Sequence, residues 1–212
     1  APLQAEAKWT REPNQHFRGI ARFDQDIAQV DPWNHESPAL YTALVTVRHG
    51  DSVSHSAIKT GFRRIEVRDG ALLVNGRRVL FCGVNRHGFD PVHGRAVPEE
   101  TMRRDITLMK KFHFNAVRCS HYPPDSRWLE LCDEAGLYVI DEADIESHAF
   151  HNSLCNDTRF AAAWLDRTIR MVERDKNHPS VIAWSLGNES GHGANHDACA
   201  GWVRHRDSSR LV

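Results

Sequence analysis

The sequence predicts an α/β fold: the first half of an eight-stranded barrel, with parallel strands inside and helices outside. Three observations predict it. From about Val79 onward, apolar strand-like runs alternate with amphipathic helical runs, four times in succession. Each of the four strand-like runs ends in polar or ionisable residues, the end at which α/β barrels carry their chemistry. After the last helical run the chain reaches Arg210-Leu211-Val212, which reads as the opening of a fifth strand. A complete open sheet is the other arrangement of four such units, and the rim of polar strand ends favours the half barrel.

The strands are expected at 79–85, 116–120, 137–141 and 181–186. The first helix should begin near Pro98, with Glu99 and Glu100 in its first turn and Lys110 and Lys111 in its last, each matching the helix dipole. Met102, Ile106, Met109 and His113 fall on one inward stripe, with the histidine at its edge. A second helix should follow Asp125-Ser126, carry Trp128, Leu131, Cys132 and Ala135, and stop at Gly136. A third starts near Asp157-Thr158, carries Trp164, Thr168, Met171 and Val172, and ends before Pro179; a fourth covers roughly 195–206. The first third of the chain differs. Residues 40–47 alternate and are rich in β-branched side chains, Gly50-Asp51 turns into 53–59, and 62–67 follows, with hairpin signals at Asp69-Gly70 and Asn75-Gly76. This is antiparallel β material, too short to close a sandwich alone. The opening residues, with Pro2, Pro13, Pro32 and Pro38, show little periodicity.

A chain of 212 residues can form one large domain or two small ones, and 41% hydrophobic content is enough for a core. No apolar run approaches the ~20 residues of a membrane span. Lys plus Arg (27) nearly balances Asp plus Glu (28), so no broad attraction to nucleic acid or anionic membrane is expected. The five cysteines are odd in number and share no Cys-x-x-Cys spacing, which argues against a structural zinc or a disulfide scaffold. Cys82 and Cys119 are expected inside strands as small buried side chains. The opening Ala1-Pro2-Leu3 carries neither a signal peptide nor an initiator Met and reads as a cut inside a longer sequence, with a reducing cytoplasm the expected setting.

The strand ends carry the chemistry. The first runs into Asn85-Arg86-His87, the second into His121-Tyr122-Pro123, and the third into Asp141-Glu142-Ala143-Asp144-Ile145-Glu146-Ser147-His148. The fourth, Val181-Ile182-Ala183-Trp184, ends in Asn188-Glu189. Taken singly, each histidine is as well read as a hydrogen-bonded loop residue, and Asn-Glu as a surface turn. A core would not tolerate so many ionisable groups unpaired, so as a set they point to a site. On an extended chain, Glu146 and His148 point the same way, and a carboxylate and an imidazole converge as metal ligands must. Two such ligands suit a six-coordinate ion completed by water, Mg²⁺ or Mn²⁺. A simple Glu–His hydrogen bond is the alternative.

These motifs together carry a resemblance. Gly83-Val84-Asn85-Arg86-His87, the run Asn115 to Pro123, the run Asp141 to His148, and Asn177-His178-Pro179-Ser180 leading into Ser185 to Gly193 resemble glycoside hydrolase family 2, and within it the large bacterial β-galactosidases. The match extends from about Pro32 to the end of the chain. It implies that residues 1–67 are the rear part of an immunoglobulin-like β-sandwich domain and 68–212 the first half of a TIM-barrel catalytic domain. It implies a retaining hydrolase of β-galactosides such as lactose, in a homo-oligomeric parent with no nucleic-acid or membrane partner. By the same resemblance Glu189 is the general acid/base, and Asn188 contacts the sugar 2-hydroxyl. His87 and His121 line the galactose subsite, and Arg118 stands near the nucleophile. Glu146, His148 and Glu189 are implied ligands of Mg²⁺, while a Na⁺ would take its ligands from outside this chain. The nucleophilic glutamate belongs to a Glu-Tyr motif beyond residue 212, and a preceding jelly-roll domain has no counterpart here. Glu142 and Asp144 match no family nucleophile. Two other readings stand beside this one. Another family activity, β-glucuronidase or β-mannosidase, generally lacks the Glu-x-His pair. A non-catalytic truncated fragment would leave a raw parallel sheet edge.

Overall fold

The computed structural model describes residues 4, 8–11 and 17–212. They form two compact units, Ala1–Val30 and Asp31–Val212. In the first, β1 (Lys8–Arg11) and β2 (Phe17–Ile20) pair as an antiparallel hairpin that the weak periodicity of this stretch did not predict.

The second unit begins with β3 (Tyr41–His49) and β4 (Ser52–Thr60), which pair antiparallel with each other alone among the described residues. Leu44, Val45, Val47 and Val53 on this hairpin are exposed. Next, β5 (Ile65–Arg68), β6 (Ala71–Val74) and β7 (Arg77–Arg78) form a meander. Its two turns are Asp69-Gly70 and Asn75-Gly76, and all four residues have positive φ, between 52° and 76°. Type I′ hairpin turns demand this geometry, which is why these dipeptides are legible as turns.

The strand–helix series follows: β8 (Gly83–His87), α1 (Glu99–Lys111), β9 (Ala116–Ser120), α2 (Ser126–Ala135), β10 (Tyr138–Glu142), α3 (Thr158–Asp175), β11 (Val181–Ser185) and α4 (Ala194–Arg206). The sheet order is β8-β9-β10-β11 and every pair is parallel. Leu211 extends it: its N–H donates to Ile182 O at 3.1 Å and its carbonyl accepts from Trp184 N at 2.9 Å, in parallel register with Ala183. Strands thus add in chain order in one direction, as in a barrel. Asp125 caps α2 by accepting from Arg127 N at 2.8 Å, and Gly136 ends it at φ +69°. Asp157 caps α3 in the same way.

Three sequence expectations need correction. The first barrel strand starts at Gly83, not Val79, because the Asn115 side chain takes both Leu80 O (2.9 Å) and Cys82 N (2.8 Å), groups a ladder would otherwise use. Cys82 therefore lies outside the strand and is exposed rather than buried. His113 does not edge the helix stripe: α1 ends at Lys111, and His113 sits in the following turn, exposed, at φ +60°.

Alternation along the strands divides the sheet's two faces. Val117, Cys119, Val139, Val181 and Trp184 pack with the helices in the larger core. Ala116, Tyr138 and Ile182, near the strand starts, pack instead with Trp33 and Val74. Trp33 is fully buried, donates Nε1–H to Asp133 O at 2.9 Å and meets the Tyr138 ring edge-on at 5.7 Å. The Arg63 guanidinium bonds Pro179 O and Val181 O nearby. The segment before the barrel series thereby covers the amino-terminal end of the sheet and leaves the carboxyl ends open. Among the described residues, no helix is long and apolar enough to cross a membrane.

Candidate active site

One irregularity in β11 shapes the rim. Val139 pairs with Val181, but Ile140 pairs with Ala183, so Ile182 is an extra residue in the register. A one-residue bulge reverses which face the following side chains take. Trp184 turns to the helix side, where its Nε1–H donates to Asp207 at 2.9 Å, and Ser185 turns inward to Glu142.

Glu142, the last residue of β10, is wholly buried. Its carboxylate accepts from Arg118 Nε at 2.7 Å and Ser185 Oγ at 2.6 Å, and lies 2.7 Å from His121 Nδ1. Arg118 also donates through Nη2 to Asn188 Oδ1 at 2.9 Å. The His87 ring stands edge-to-face on His121, with centroids 5.0 Å apart. Tyr122, beside them, carries the Arg95 guanidinium on its ring at 3.6 Å. Arg95 comes from the loop after β8, which Asp90 folds by accepting the N–H groups of His93 and Val92 at 2.9 Å each. Those backbone donors, His93 first, bring the Asp90 carboxyl down to about 2.

Beyond β11 the chain stays bound to the segment after β10. Asn188 N donates to Ile145 O at 3.0 Å, and Asn188 pairs in parallel with Glu146. Gly187 allows this approach: its φ is +134°, and a Cβ there would lie 2.2 Å from Ile145 O. Glu189 itself sits at φ +40°. Ser147 Oγ donates to Ser190 O at 3.2 Å, while Asn152 and Asn156 accept from His192 N and Ala194 N. The result brings Glu146, His148 and Glu189 together, with one ligand atom from each all within 4.8 Å of one another. His148 Nδ1 is in hydrogen-bond contact with Glu189 Oε2. All three side chains are exposed.

Residues 65–212 match the family described as "Glycosyl hydrolases family 2, TIM barrel domain". The chain belongs to this family. It is 49% identical over 201 residues to a β-galactosidase of Pectobacterium atrosepticum, a match covering 93% of this chain and 19% of that protein. It is 52% identical over 196 residues to a β-galactosidase of Lactococcus lactis subsp. lactis, covering 90% of this chain and 20% of that one. The chain thus spans about a fifth of the length of these relatives. Among solved structures it is similar to a Parabacteroides merdae β-glucuronidase, with TM-score 0.79 and 26% identity over 92% of this chain and 26% of that one.

The site residues expected from this family 2 sequence form two groups, all at or past the carboxyl ends of the strands except Arg118, which projects from the middle of β9. Arg118 and His121 are joined through Glu142, Asn188 joins them through Arg118, and His87 stands against His121; Glu146, His148 and Glu189 form the other. The expected partner of Arg118 was a nucleophile, and the carboxylate it binds within the chain is Glu142. The sequence assigned no site role to Glu142, weighed only as a nucleophile, or to Ser185, present only as part of a family motif. Glu142 had a usable signal: it falls two and four residues after Ile140 and Tyr138, on the same inward parity. Ser185 had none, because the bulge inverts its parity.

Proposed function

We propose that the protein carrying this chain is a retaining β-galactosidase, hydrolysing terminal non-reducing β-D-galactose residues by double displacement. The observation that carries the reading is Asn188-Glu189 held at the β11 rim beside Glu146 and His148, in a chain about half identical to two β-galactosidases. In the first step Glu189 gives its proton to the departing glycosidic oxygen while a carboxylate nucleophile bonds the anomeric carbon. In the second, Glu189 takes a proton from water, whose oxygen bonds the anomeric carbon as the nucleophile leaves. A retaining pair stands roughly 5 Å apart across the scissile bond. By the family resemblance the nucleophile belongs to a Glu-Tyr motif on a later barrel strand; within this chain Glu142 is sealed by its three partners and Glu146 shares the Glu189 cluster. Asn188 contacts the 2-hydroxyl, His87 and His121 line the galactose subsite, and Arg118 orients carboxylate and amide partners at the rim.

Two carboxylates and an imidazole on an exposed rim fit a hard divalent ion that keeps several waters, Mg²⁺ before Mn²⁺. Glu146, His148 and Glu189 would hold it, and a Na⁺ would find its ligands outside this chain. Bound there, the ion supplies positive charge beside the acid/base. Residues 1–67 fit the rear of an immunoglobulin-like domain and 68–212 the half barrel, within a homo-oligomeric cytoplasmic parent.

The likeness to solved glucuronidases supports a second reading, β-glucuronidase, at the lower identity of 26%. Paired chromogenic galactoside and glucuronide assays on the full-length protein decide between them, and galactoside should be the preferred substrate. Glu189→Gln should abolish hydrolysis of galactosides with poor leaving groups, and azide should partly restore turnover of those with good ones. Wild-type rates on both would end the assignment. Unchanged rate and pH profile in EDTA would end the metal assignment.

A further inference from the structure

The bonds around Glu142 constrain more than position. A guanidinium only donates hydrogen bonds, so the Asn188 atom that meets Arg118 Nη2 at 2.9 Å must be its carbonyl oxygen. The same guanidinium is paired with the Glu142 carboxylate, Nε donating to Oε2 at 2.7 Å, which holds Nη2 toward Asn188. Asn188 Nδ2 is thereby turned away from Arg118. At His121, the ring nitrogen nearest the buried carboxylate is Nδ1, at 2.7 Å. A carboxylate accepts, so the proton between them belongs to Nδ1, and a neutral His121 ring keeps its lone pair on Nε2.

We propose that Glu142 is a positioning residue that sets the hydrogen-bond polarity of the sugar subsite. Through Arg118 it makes Asn188 present N–H donors, and directly it makes His121 present Nε2. The identity of the sugar rests on the β-galactosidase reading; the polarity rests on the donors and acceptors around Glu142. A ligand oxygen at Asn188 accepts, and a ligand group at a neutral His121 donates. A hydroxyl satisfies either position. Ser185, brought inward by the β11 bulge, completes the set of donors on Glu142.

The test uses the full-length protein with ¹⁵N-labelled histidine, wild type and Glu142→Gln, with the His121 signals identified by their loss in His121→Gln. Wild type should show a protonated, pyrrole-like Nδ1 and a pyridine-like Nε2 at pH values where the ring is neutral. Glu142→Gln places an amide among donors and should shift that pattern, with kcat lowered roughly 10- to 100-fold, the range seen when supporting partners of site residues are removed. KM should move much less. Ser185→Ala, which keeps Arg118 and His121 on the carboxylate, should act in the same direction by a smaller factor and serves if Glu142→Gln does not fold. An Nε2–H tautomer in wild type overturns the proposal, as does an unchanged nitrogen pattern and kcat in Glu142→Gln, or an unchanged kcat in Ser185→Ala. If the wild-type protein cleaves no β-galactoside, the functional reading fails while the nitrogen pattern still decides this one.

Discussion

Substituting Gly187 by alanine tests how the rim is assembled. The added Cβ would lie 2.2 Å from Ile145 O and 3.0 Å from Ile145 Cβ, where ordinary contact begins at 3.4 Å. The two backbones must therefore separate by about 1.2 Å, the difference between 3.4 and 2.2. Gly187 also sits at φ +134°, a region that costs an L-residue roughly 1–3 kcal/mol. The displaced segment carries the Asn188 N–Ile145 O bond and the Glu146–Asn188 pairing, and with them the spacing of Glu189 from Glu146 and His148. Misplacement of a catalytic group by 1 Å costs on the order of 100-fold, or ~2.7 kcal/mol of transition-state stabilisation. In the full-length protein, Gly187→Ala should lower kcat/KM on a chromogenic galactoside by about that factor and raise the Mg²⁺ concentration needed for half-maximal activity. Gly50→Ala is the control. Its φ is +56°, nothing lies within 4 Å of its Cβ, and it should cost only ~1–2 kcal/mol of local stability while leaving kcat/KM intact. A Gly187→Ala protein within twofold of wild type, with unchanged Mg²⁺ dependence, would refute the idea that this contact sets the rim.

Trp33→Ala should destabilise the protein by ~3–5 kcal/mol, read by urea denaturation, because it empties a fully buried indole site and orphans Asp133 O. Asp207 is pushed up by burial, but Ser209, Arg210 and Trp184 outweigh that and bring its carboxyl from 3.8 to about 2. Its stabilisation is thus complete above pH 3.8 and lost as pH falls through about 2; at ~1.4 kcal/mol per pH unit this is ~2.4 kcal/mol, trimmed to roughly 1–2 by solvent screening. Hydrogen exchange at Trp184 and Leu211 should accelerate on acidification in that window, and in Asp207→Asn at neutral pH. Asp141 is fully buried, and burial followed by the neighbouring Asp175 charge holds its carboxyl well above the usual range. A raised folded value means stability that declines as pH rises above 3.8, so Asp141→Asn, which removes a buried ionisable group while keeping its shape, should match or exceed wild-type melting temperature at pH 8. A large loss at that pH would show that Asp141 is ionised in the fold.

Most of the barrel series was legible because its signals are local. Asp125 and Asp157 cap helices through their own side chains, Gly136 closes α2 at positive φ, and strand against helix period separates the units. The misreadings come from contacts made at a distance. Asn115, more than thirty residues away in sequence, takes the backbone groups of 80–82 and delays β8. The β1–β2 hairpin carried no pattern to read.

The sequence by itself determined the order of strands and helices, the rim on which the polar residues stand, and which residues stand there, because periodicity and turn chemistry act over a few neighbours. Tertiary structure decided how those residues are wired together. Glu142 reads as one of several carboxylates on a strand until Arg118, His121 and Ser185 close on it from two other strands. Ser185 reaches it only because one extra residue in β11 reverses the facing of the side chains that follow. Glu189 meets Glu146 and His148 only because a glycine lets two loops touch. A strand repeats every two residues, so a single inserted position or a single missing Cβ changes which groups meet without altering any local pattern.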